Sequence, residues 1–267
     1  MNNTFNMTRF GLLLRRQWLE FGKIYLISLV VLLGIVVGFY GYNIPSPFKN
    51  NNFDYAGNLD MRFRYPLFLI LGFVFISIVA SSYFNILGQK SRAILELMTP
   101  ASVFEKFLAG VVYTALISLF SYLLIFYLTD LAFIKYLNGH LNAFNHPGIK
   151  KVESIPQEVF RDEGFGKYWA YFFALPFLIT SIFLLGSIYF NRFHYIKTAL
   201  SVMVFVGLAS YLVVRFSGWL MENKVRYHHN FRNDGKDQIL LAILLITSLI
   251  TFMVWAITYI RLKEKEV

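Results

Sequence analysis

Residues able to carry out chemistry are few and scattered in this chain. Its 267 residues include no cysteine, which excludes disulfides, thiolate catalysis and Cys-ligated metal sites. His228 and His229 form the single histidine pair, and neighbouring residues on a helix point in different directions. The sequence also lacks a His-Glu-x-x-His pattern. We therefore predict no enzymatic activity, no metal site and no cofactor.

A nucleotide-binding loop is also missing. The chain contains no Gly-x-x-x-x-Gly-Lys-Ser/Thr pattern, whose backbone N–H groups and lysine would hold the phosphates of ATP. The segments 88–91 and 164–167 contain glycine and lysine but not this spacing. Any ATP hydrolysis connected with this protein is expected in a partner subunit.

The composition excludes a water-soluble protein. Hydrophobic residues make up 57% of the chain and charged residues 15%, whereas soluble domains have about 45–50% and about 25%. The 29 Phe and 17 Tyr residues are equally unlike a disordered chain. The net charge of +10 is interpreted as membrane topology rather than nucleic-acid binding, because basic residues collect at the cytoplasmic ends of spans.

Six long segments without charged residues give the fold class. A helix needs about 20 apolar residues to cross the hydrocarbon core, and five of the segments meet that length. The fifth in order, 198–214, is short but can extend through Arg215. We predict an all-α membrane protein with six transmembrane helices within residues 24–262 and a tail at 263–267. The charged residues that bound the segments are Lys23 and Lys49, Arg64 and Lys90, Lys106 and Asp130, Lys167 and Arg192, Lys197 and Arg215, and Asp237 and Arg261.

An even number of spans places both termini on one side of the membrane. With the termini inside, the inner segments carry 12 Lys and Arg residues against 5 acidic ones. The longer outer segments carry 13 Lys and Arg residues against 10 acidic ones. The bias in basic density predicts cytoplasmic termini.

The N-terminal segment 1–23 precedes the first span and is predicted to be an amphipathic helix. One broad face carries apolar side chains and the other carries charged ones, with Arg16 and Glu20 able to pair at i, i+4. This pattern favours a helix lying in the membrane interface over a simple basic flank. The apolar face consists of Phe10, Leu13, Leu14, Trp18 and Phe21.

The segment between the second and third spans is predicted to form a short helix over 88–98. It carries Lys90, Arg92 and Glu96 and must end before Pro100, whose ring disfavours helix in the residue before it. Such an element can be a docking site for a partner or an ordinary cytoplasmic turn.

The third span begins with a capping pattern. Ser102 and Glu105 have the spacing of a capping box, in which the hydroxyl accepts from the Glu105 N–H and the carboxylate reaches back to the cap. The helix is predicted to run from Val103 to about Ile134, about 48 Å, which is longer than a hydrocarbon core about 30 Å thick.

These features together resemble the permease subunit of type-2 ABC transporters. The best local match is residues 97–110, Leu-Met-Thr-Pro-Ala-Ser-Val-Phe-Glu-Lys-Phe-Leu-Ala-Gly. The resemblance implies a bacterial inner-membrane protein that works as a dimer with an ATP-binding cassette ATPase and forms the path of an exporter. It further implies that the 88–106 loop is the coupling element that docks on the ATPase. The coupling residues implied are Lys90, Arg92, Glu96, Pro100, Ser102 and Glu105.

Features inside the spans add three expectations. Gly34 and Gly38 form a Gly-x-x-x-Gly face suited to close helix packing in the first span. Pro176 lies within the fourth charge-free segment and is predicted to kink that helix, either as a gating bend or as a static one. The hydroxyl groups of the third span either line a path or hold helices together; they belong to Tyr113, Thr114, Ser118, Ser121 and Tyr122.

Two other classes of function remain open. A proton-coupled transporter usually places Asp, Glu or His within a span, and these segments contain none, whereas a sodium site can use neutral oxygens. A sodium-coupled transporter is therefore the weaker alternative. A membrane scaffold or assembly subunit that transports nothing has the same composition, and an ATPase partner distinguishes the two.

Overall fold

A computed structural model of the chain describes residues 5–45, 59–85, 98–141, 151–157, 171–190, 192–221 and 233–266. These residues form an all-helical architecture without strands. The helices are α1 (Met7–Asn43), α2 (Arg64–Tyr83), α3 (Val103–Gly139), α4 (Leu175–Tyr189), α5 (His194–Met221) and α6 (Asn233–Glu266).

Five of these helices are long and apolar enough to cross a membrane, namely α1, α2, α3, α5 and α6. The remaining helix, α4, is also apolar, but it has only 15 residues, which is about 22 Å of helix. The chain is therefore a helical, membrane-embedded protein, and α4 is shorter than the full span predicted for its charge-free segment.

The amphipathic N-terminal segment and the first span form one helix. Asn6 caps it: its side chain accepts hydrogen bonds from the N–H groups of Thr8 (2.9 Å) and Arg9 (3.4 Å). The helix then runs without a break to Asn43, because no proline lies within it. The boundary predicted at residue 23 is therefore not a helix end.

The apolar face of the N-terminal segment packs on the protein. Leu13 is buried in a cluster with Ala101 and Ala109 of the α3 entry, and Phe10 and Leu14 pack against that cluster. Leu12 and Leu19, on the opposite side, stay exposed. The face predicted to lie against the membrane interface is therefore at least partly a protein contact, which anchors α1 to the start of α3.

The start of α1 and the end of α6 lie at one end of the helix bundle, which we call the near end. There Tyr83 at the end of α2 donates its hydroxyl proton to Gln17 of α1. Lys265 near the end of α6 donates to the carbonyl oxygen of Ile188 at the end of α4 (2.7 Å). The opposite, far end contains the C-terminus of α1 and the start of α2, so consecutive helices alternate in direction.

The main core lies between α1, α2 and α3. It is strongly aromatic: Tyr40 packs edge-on against Phe126, and Phe75 stacks with Tyr122. Tyr122 also donates a hydrogen bond to the carbonyl oxygen of Phe68 on α2. Aromatic pairs of this kind add about 0.5–1.5 kcal/mol each beyond the area they bury.

Helix α3 contains a π-helical segment at Val112–Ile117. A π turn leaves backbone carbonyls without their usual partners, and α1 supplies one donor, since the Tyr25 hydroxyl lies 3.3 Å from the Ile117 carbonyl oxygen. Thr114 donates to its own helix at Gly110 (2.7 Å). The predicted third helix is confirmed as a continuous element, with this local rewinding added.

Close helix packing occurs at other glycines than those predicted. A Cβ atom placed on Gly34 or Gly38 would meet nothing within 4 Å among the described residues, so this face does not pack within the chain. A Cβ on Gly72 would lie 2.8 Å from the Tyr122 ring, and one on Gly186 only 1.9 Å from the Thr198 hydroxyl oxygen. Among the described helices, Gly72 and Gly186 are positions of close approach, and the packing role predicted for Gly34 and Gly38 stays a prediction.

Pro176 lies in the first turn of α4. Phe173 and Ala174 form a turn, and α4 begins at Leu175 with Pro176 in its first turn. A proline there removes no intrahelical hydrogen bond, and its fixed φ suits a helix start. Residues 158–170, which precede this turn, lie outside the described part of the chain, so the kink predicted at Pro176 stays a prediction.

Candidate functional site

The predicted capping box at the entry of α3 is confirmed. The Glu105 N–H donates to the Ser102 hydroxyl oxygen (3.3 Å), and the Ser102 N–H donates to Glu105 Oε2 (2.8 Å). Pro100 lies exposed in the turn just before it. The chain therefore enters the bundle through a fixed turn, as the local sequence pattern predicts.

The same carboxylate also holds the N-terminus of α1. Arg9 donates from Nε to Glu105 Oε2 and from Nη2 to Oε1, both at 2.7 Å, and the Asn6 N–H donates to Oε1 at 2.9 Å. Glu105 is completely buried, and its oxygens accept bonds from Arg9, Asn6 and Ser102. We call this group the Glu105 clamp; it joins the starts of α1 and α3.

The geometry of the Glu105 clamp is that of a strong contact. Charge-assisted, two-pronged Arg–carboxylate bonds are about twice as strong as neutral hydrogen bonds. Two helix N-termini, at Asn6 and Ser102, also direct N–H groups at the one negative charge. These bonds offset the free-energy cost of burying the charged carboxylate. A buried glutamate without such partners would have no compensation for that cost.

Further contacts extend the junction along α1. The Arg16 guanidinium donates to the Thr99 hydroxyl in the turn before α3, and it pairs with Glu20 at 3.1 Å. About two turns beyond Glu105 on α3, the Tyr113 hydroxyl donates to the Leu14 carbonyl oxygen (2.8 Å). Displacement of the turn at 98–102 therefore pulls on α1 as well as on α3.

The remaining predicted coupling residues lie outside the described residues. Lys90, Arg92 and Glu96 belong to the segment 86–97, which the structure does not describe. Of the predicted coupling set, the structure brings Ser102 and Glu105 together, with Pro100 beside them.

A second polar cluster lies at the far end and was not predicted as a site. Asp130 of α3 is fully buried and pairs with the buried Arg64 of α2, with Nη1 to Oδ1 at 3.2 Å. The Tyr40 hydroxyl of α1 donates to the same oxygen at 2.7 Å. The N–H of Ile155 donates to the other oxygen at 3.1 Å. We call this the Asp130 cluster.

The Asp130 cluster joins three helices and the segment 151–157. Arg64 also donates to the carbonyl oxygens of Met61 (3.2 Å) and Glu153 (3.0 Å), so its guanidinium is bonded on several sides. A buried ion pair is tolerated when extra hydrogen bonds of this kind satisfy both partners. The cluster therefore fixes the far end of α1, α2 and α3 relative to one another.

An apolar cavity of about 430 Å³ lies between α2, α3 and the start of α4. Gly72 and Tyr122 line it where α2 and α3 approach most closely, and Pro176 lines it from α4. Its walls can hold a hydrocarbon group. The remaining lining residues are Phe68, Leu69, Phe73, Ile76, Leu119, Leu123, Phe172, Phe173 and Leu175.

The hydroxyl groups of α3 hold the structure together. Tyr113 and Tyr122 bond backbone carbonyls of α1 and α2, while Thr114 and Ser118 bond carbonyls of their own helix. Of these four residues, only Tyr122 contributes to the wall of the apolar cavity. The Tyr113 and Tyr122 bonds fit the role of holding helices together, whereas the Thr114 and Ser118 bonds stay within α3 and favour neither predicted role.

Comparison with known proteins adds no relative: no family model, no curated protein sequence and no solved structure matches this chain. The fold and the described sites define a helical membrane-embedded protein with two buried carboxylates, one at each end of the bundle. Function must therefore be inferred from the chain itself.

Proposed function

We propose that this chain is the permease subunit of a type-2 ABC exporter, energised by a separate ATPase that docks on the 88–106 loop. The proposal rests on the sequence resemblance at 97–110 and on the architecture around it. ATP hydrolysis in the partner moves the loop, and the spans change between inward and outward states. The chain itself supplies the translocation path and no catalysis.

The observation that carries the proposal is the Glu105 clamp. A coupling loop has to pass a displacement to more than one span, and a single buried carboxylate here binds the starts of α1 and α3 together. The contact of Arg16 with Thr99 adds a second link about two turns further along α1. This is a suitable arrangement for transmitting force from the loop into two helices at once.

A second copy of the chain, or a paralogue, is the proposed partner within the membrane. Helix α5 supports this, because from about Leu200 onward it packs on nothing in the described part of the chain. Its exposed side chains include Phe205, Leu208 and Leu212. An apolar helix without neighbours can be covered by lipid or by another helix, and the dimer proposal assigns part of it to the second copy.

The proposed location is the bacterial inner (plasma) membrane, with the near end of the bundle and both termini in the cytoplasm. The excess of basic residues in the inner segments supports this orientation. The proposed ATPase then meets the 88–106 loop and the exposed side of α1 on the cytoplasmic surface.

Cysteine accessibility tests the orientation directly, because the chain has no cysteine to remove. A single cysteine replacing Lys151, exposed at the far end, is expected to react with a membrane-impermeant maleimide in intact cells. A cysteine replacing Lys263, exposed at the near end, is expected to react only after the cells are opened. Labelling of Lys263→Cys in intact cells contradicts the proposed orientation.

Charge reversal in the loop tests the proposed function. The double substitution Lys90→Glu, Arg92→Glu is expected to release the ATPase, because truncating or reversing a charge at a desolvated contact costs about 2–5 kcal/mol. The measurement is co-purification of the ATPase from native membranes, followed by hydrolysis in lipid. The matched control is Lys150→Glu, Lys151→Glu in the predicted outer loop. This variant is expected to leave both ATPase co-purification and ATP hydrolysis unchanged.

Two outcomes count against the exporter. If no ATPase accompanies the wild-type chain under any nucleotide condition, the proposed motor is absent and a membrane scaffold becomes the better hypothesis. If the ATPase accompanies the loop variant as strongly as the wild type, the docking site is elsewhere.

A further inference from the structure

Cationic side chains gather around the end of α4, at the near end of the bundle. Three consecutive residues there each hold a cation from another helix. The Ile188 carbonyl oxygen accepts from Lys265 Nζ at 2.7 Å. The Arg261 guanidinium lies 5.7 Å from the centre of the Tyr189 ring, and Lys197 Nζ lies 5.8 Å from that of Phe190. Cations are favoured at this position because a helix C-terminus carries partial negative charge.

The local charge balance is strongly positive. Residues 186–197 and 257–266 carry five basic residues, Arg192, Lys197, Arg261, Lys263 and Lys265, against two acidic ones, Glu264 and Glu266. Glu264 is 2.7 Å from Arg261 and is itself about half exposed. Arg192, Lys197 and Lys263 are exposed. Their charge is therefore available to an anionic ligand.

An exposed aromatic residue follows Arg192 directly in the chain. Phe193, in the short connection between α4 and α5, is 71% exposed and has φ 54°. A bulky residue at positive φ is uncommon and costs conformational energy, so it persists where the surrounding structure imposes it. Tyr189 is 61% exposed beside it. Aromatic rings next to cations are typical of the membrane–water interface.

The neighbouring helix surfaces indicate which ligand fits. On α5, Ile196 and Leu200 are each 56% exposed, and on α6 Ile260 is 53% exposed. These apolar surfaces are continuous with helices of membrane-spanning length, so they face hydrocarbon. The cations lie within one or two turns of them, which is the level of the lipid phosphates. An acidic protein partner has no need of this adjacent apolar surface.

We propose that the α4–α5 connection and the end of α6 form a binding site for the phosphate headgroup of an anionic phospholipid. The site is the cationic end formed by Arg192, Lys197, Arg261 and Lys263, with Phe193 inserted beside the headgroup. The acyl chains of the lipid lie along the exposed faces of α5 and α6. This site is independent of the proposed transport function, since none of its residues belongs to the coupling loop or to the Glu105 clamp.

Lipid retention by the purified, full-length chain tests the proposal. Native mass spectrometry in detergent compares added dioleoylphosphatidylglycerol with dioleoylphosphatidylcholine at equal concentration. The wild type is expected to retain the anionic lipid preferentially, and less of it as ionic strength rises. Each cation near an anionic surface adds about fivefold in affinity, so Arg192→Gln, Lys197→Gln is expected to weaken retention at least tenfold.

The matched control removes the same types of charge from another helix at the same end. Arg15→Gln, Lys23→Gln takes one exposed arginine and one exposed lysine from α1 and is expected to leave retention of the anionic lipid within twofold of wild type. Equal retention of the two lipids by the wild type overturns the proposal. So does equal loss in both variants, which indicates diffuse charge instead of a site. Unchanged retention in Arg192→Gln, Lys197→Gln also overturns it and leaves this surface to an acidic protein partner.

Discussion

Replacing Asp130 with asparagine is expected to lower the free energy of unfolding by about 3–5 kcal/mol. The change removes the negative charge beside Arg64, whose side chain is buried at the far end of the bundle. Losing one partner of a buried ion pair leaves the other charge uncompensated in a poorly polar environment. The measurement is thermal or denaturant-induced unfolding of the purified chain in detergent, followed by the fluorescence of its tryptophans.

An exposed ion pair in the same chain provides the control. Arg16 and Glu20 are 3.1 Å apart at i, i+4, with about two-fifths of each side chain exposed. Glu20→Gln is expected to change the free energy of unfolding by about 0.5 kcal/mol or less. A similar small change for Asp130→Asn would falsify the assignment of the Asp130 cluster as a buried structural contact.

A paired substitution separates charge from packing at the same place. Arg64→Met, Asp130→Leu removes both charges and keeps apolar volume, so its cost is expected to be smaller than the sum of the two single changes. The carbonyl oxygens of Met61 and Glu153 lose their donor in this variant, which leaves some cost remaining.

The sequence predicts the parts of this structure that depend on near neighbours. The Ser102–Glu105 box is four residues long, and its spacing alone implies the bonds that the structure contains. The partner of that box, Arg9, is 96 residues away. No periodicity or spacing links two such positions, so the clamp became visible only when the helices were packed.

The Asp130 cluster left a partial signal in the sequence. Arg64 and Asp130 are boundary charges of two charge-free segments, and both mark the outer boundary. Alternating span directions put them at one membrane level, where opposite charges on neighbouring helices can pair. In the sequence these two charges stand out only as span boundaries, and no spacing along the chain indicates their burial or pairing.

Glycine and proline positions depend on contacts that one segment of sequence does not contain. Gly34 and Gly38 match a packing motif, yet close approach occurs at Gly72 and Gly186, where a specific side chain of another helix lies against the backbone. Residues 168–191 form one charge-free segment in the sequence. Proline, however, fits the first turn of a helix better than its middle, and Pro176 lies in the first turn of α4. In both cases the neighbouring helix, or the local turn, decides the outcome.

Replacing Glu105 with alanine is expected to lower the free energy of unfolding by about 3 kcal/mol and to free the start of α1. The change removes the acceptor for Arg9, Asn6 and Ser102, and hydrogen bonds to a charged group contribute about 1.5–3 kcal/mol in addition to the cap. Hydrogen exchange of peptides covering residues 7–20 measures the second effect, which is expected as faster exchange near Arg9.

Ser102→Ala is the comparison that isolates the link between helices from the cap itself. It removes the hydroxyl acceptor at the start of α3 but leaves the carboxylate bonded to Arg9 and Asn6, so about 1 kcal/mol of destabilisation and unchanged exchange over 7–20 are expected. Equal exchange in the two variants means that Glu105 stabilises α3 alone. Faster exchange over residues 7–20 in Glu105→Ala alone means that the Glu105 carboxylate holds α1 and α3 together. The proposed coupling loop requires such a link, because it has to move both helices.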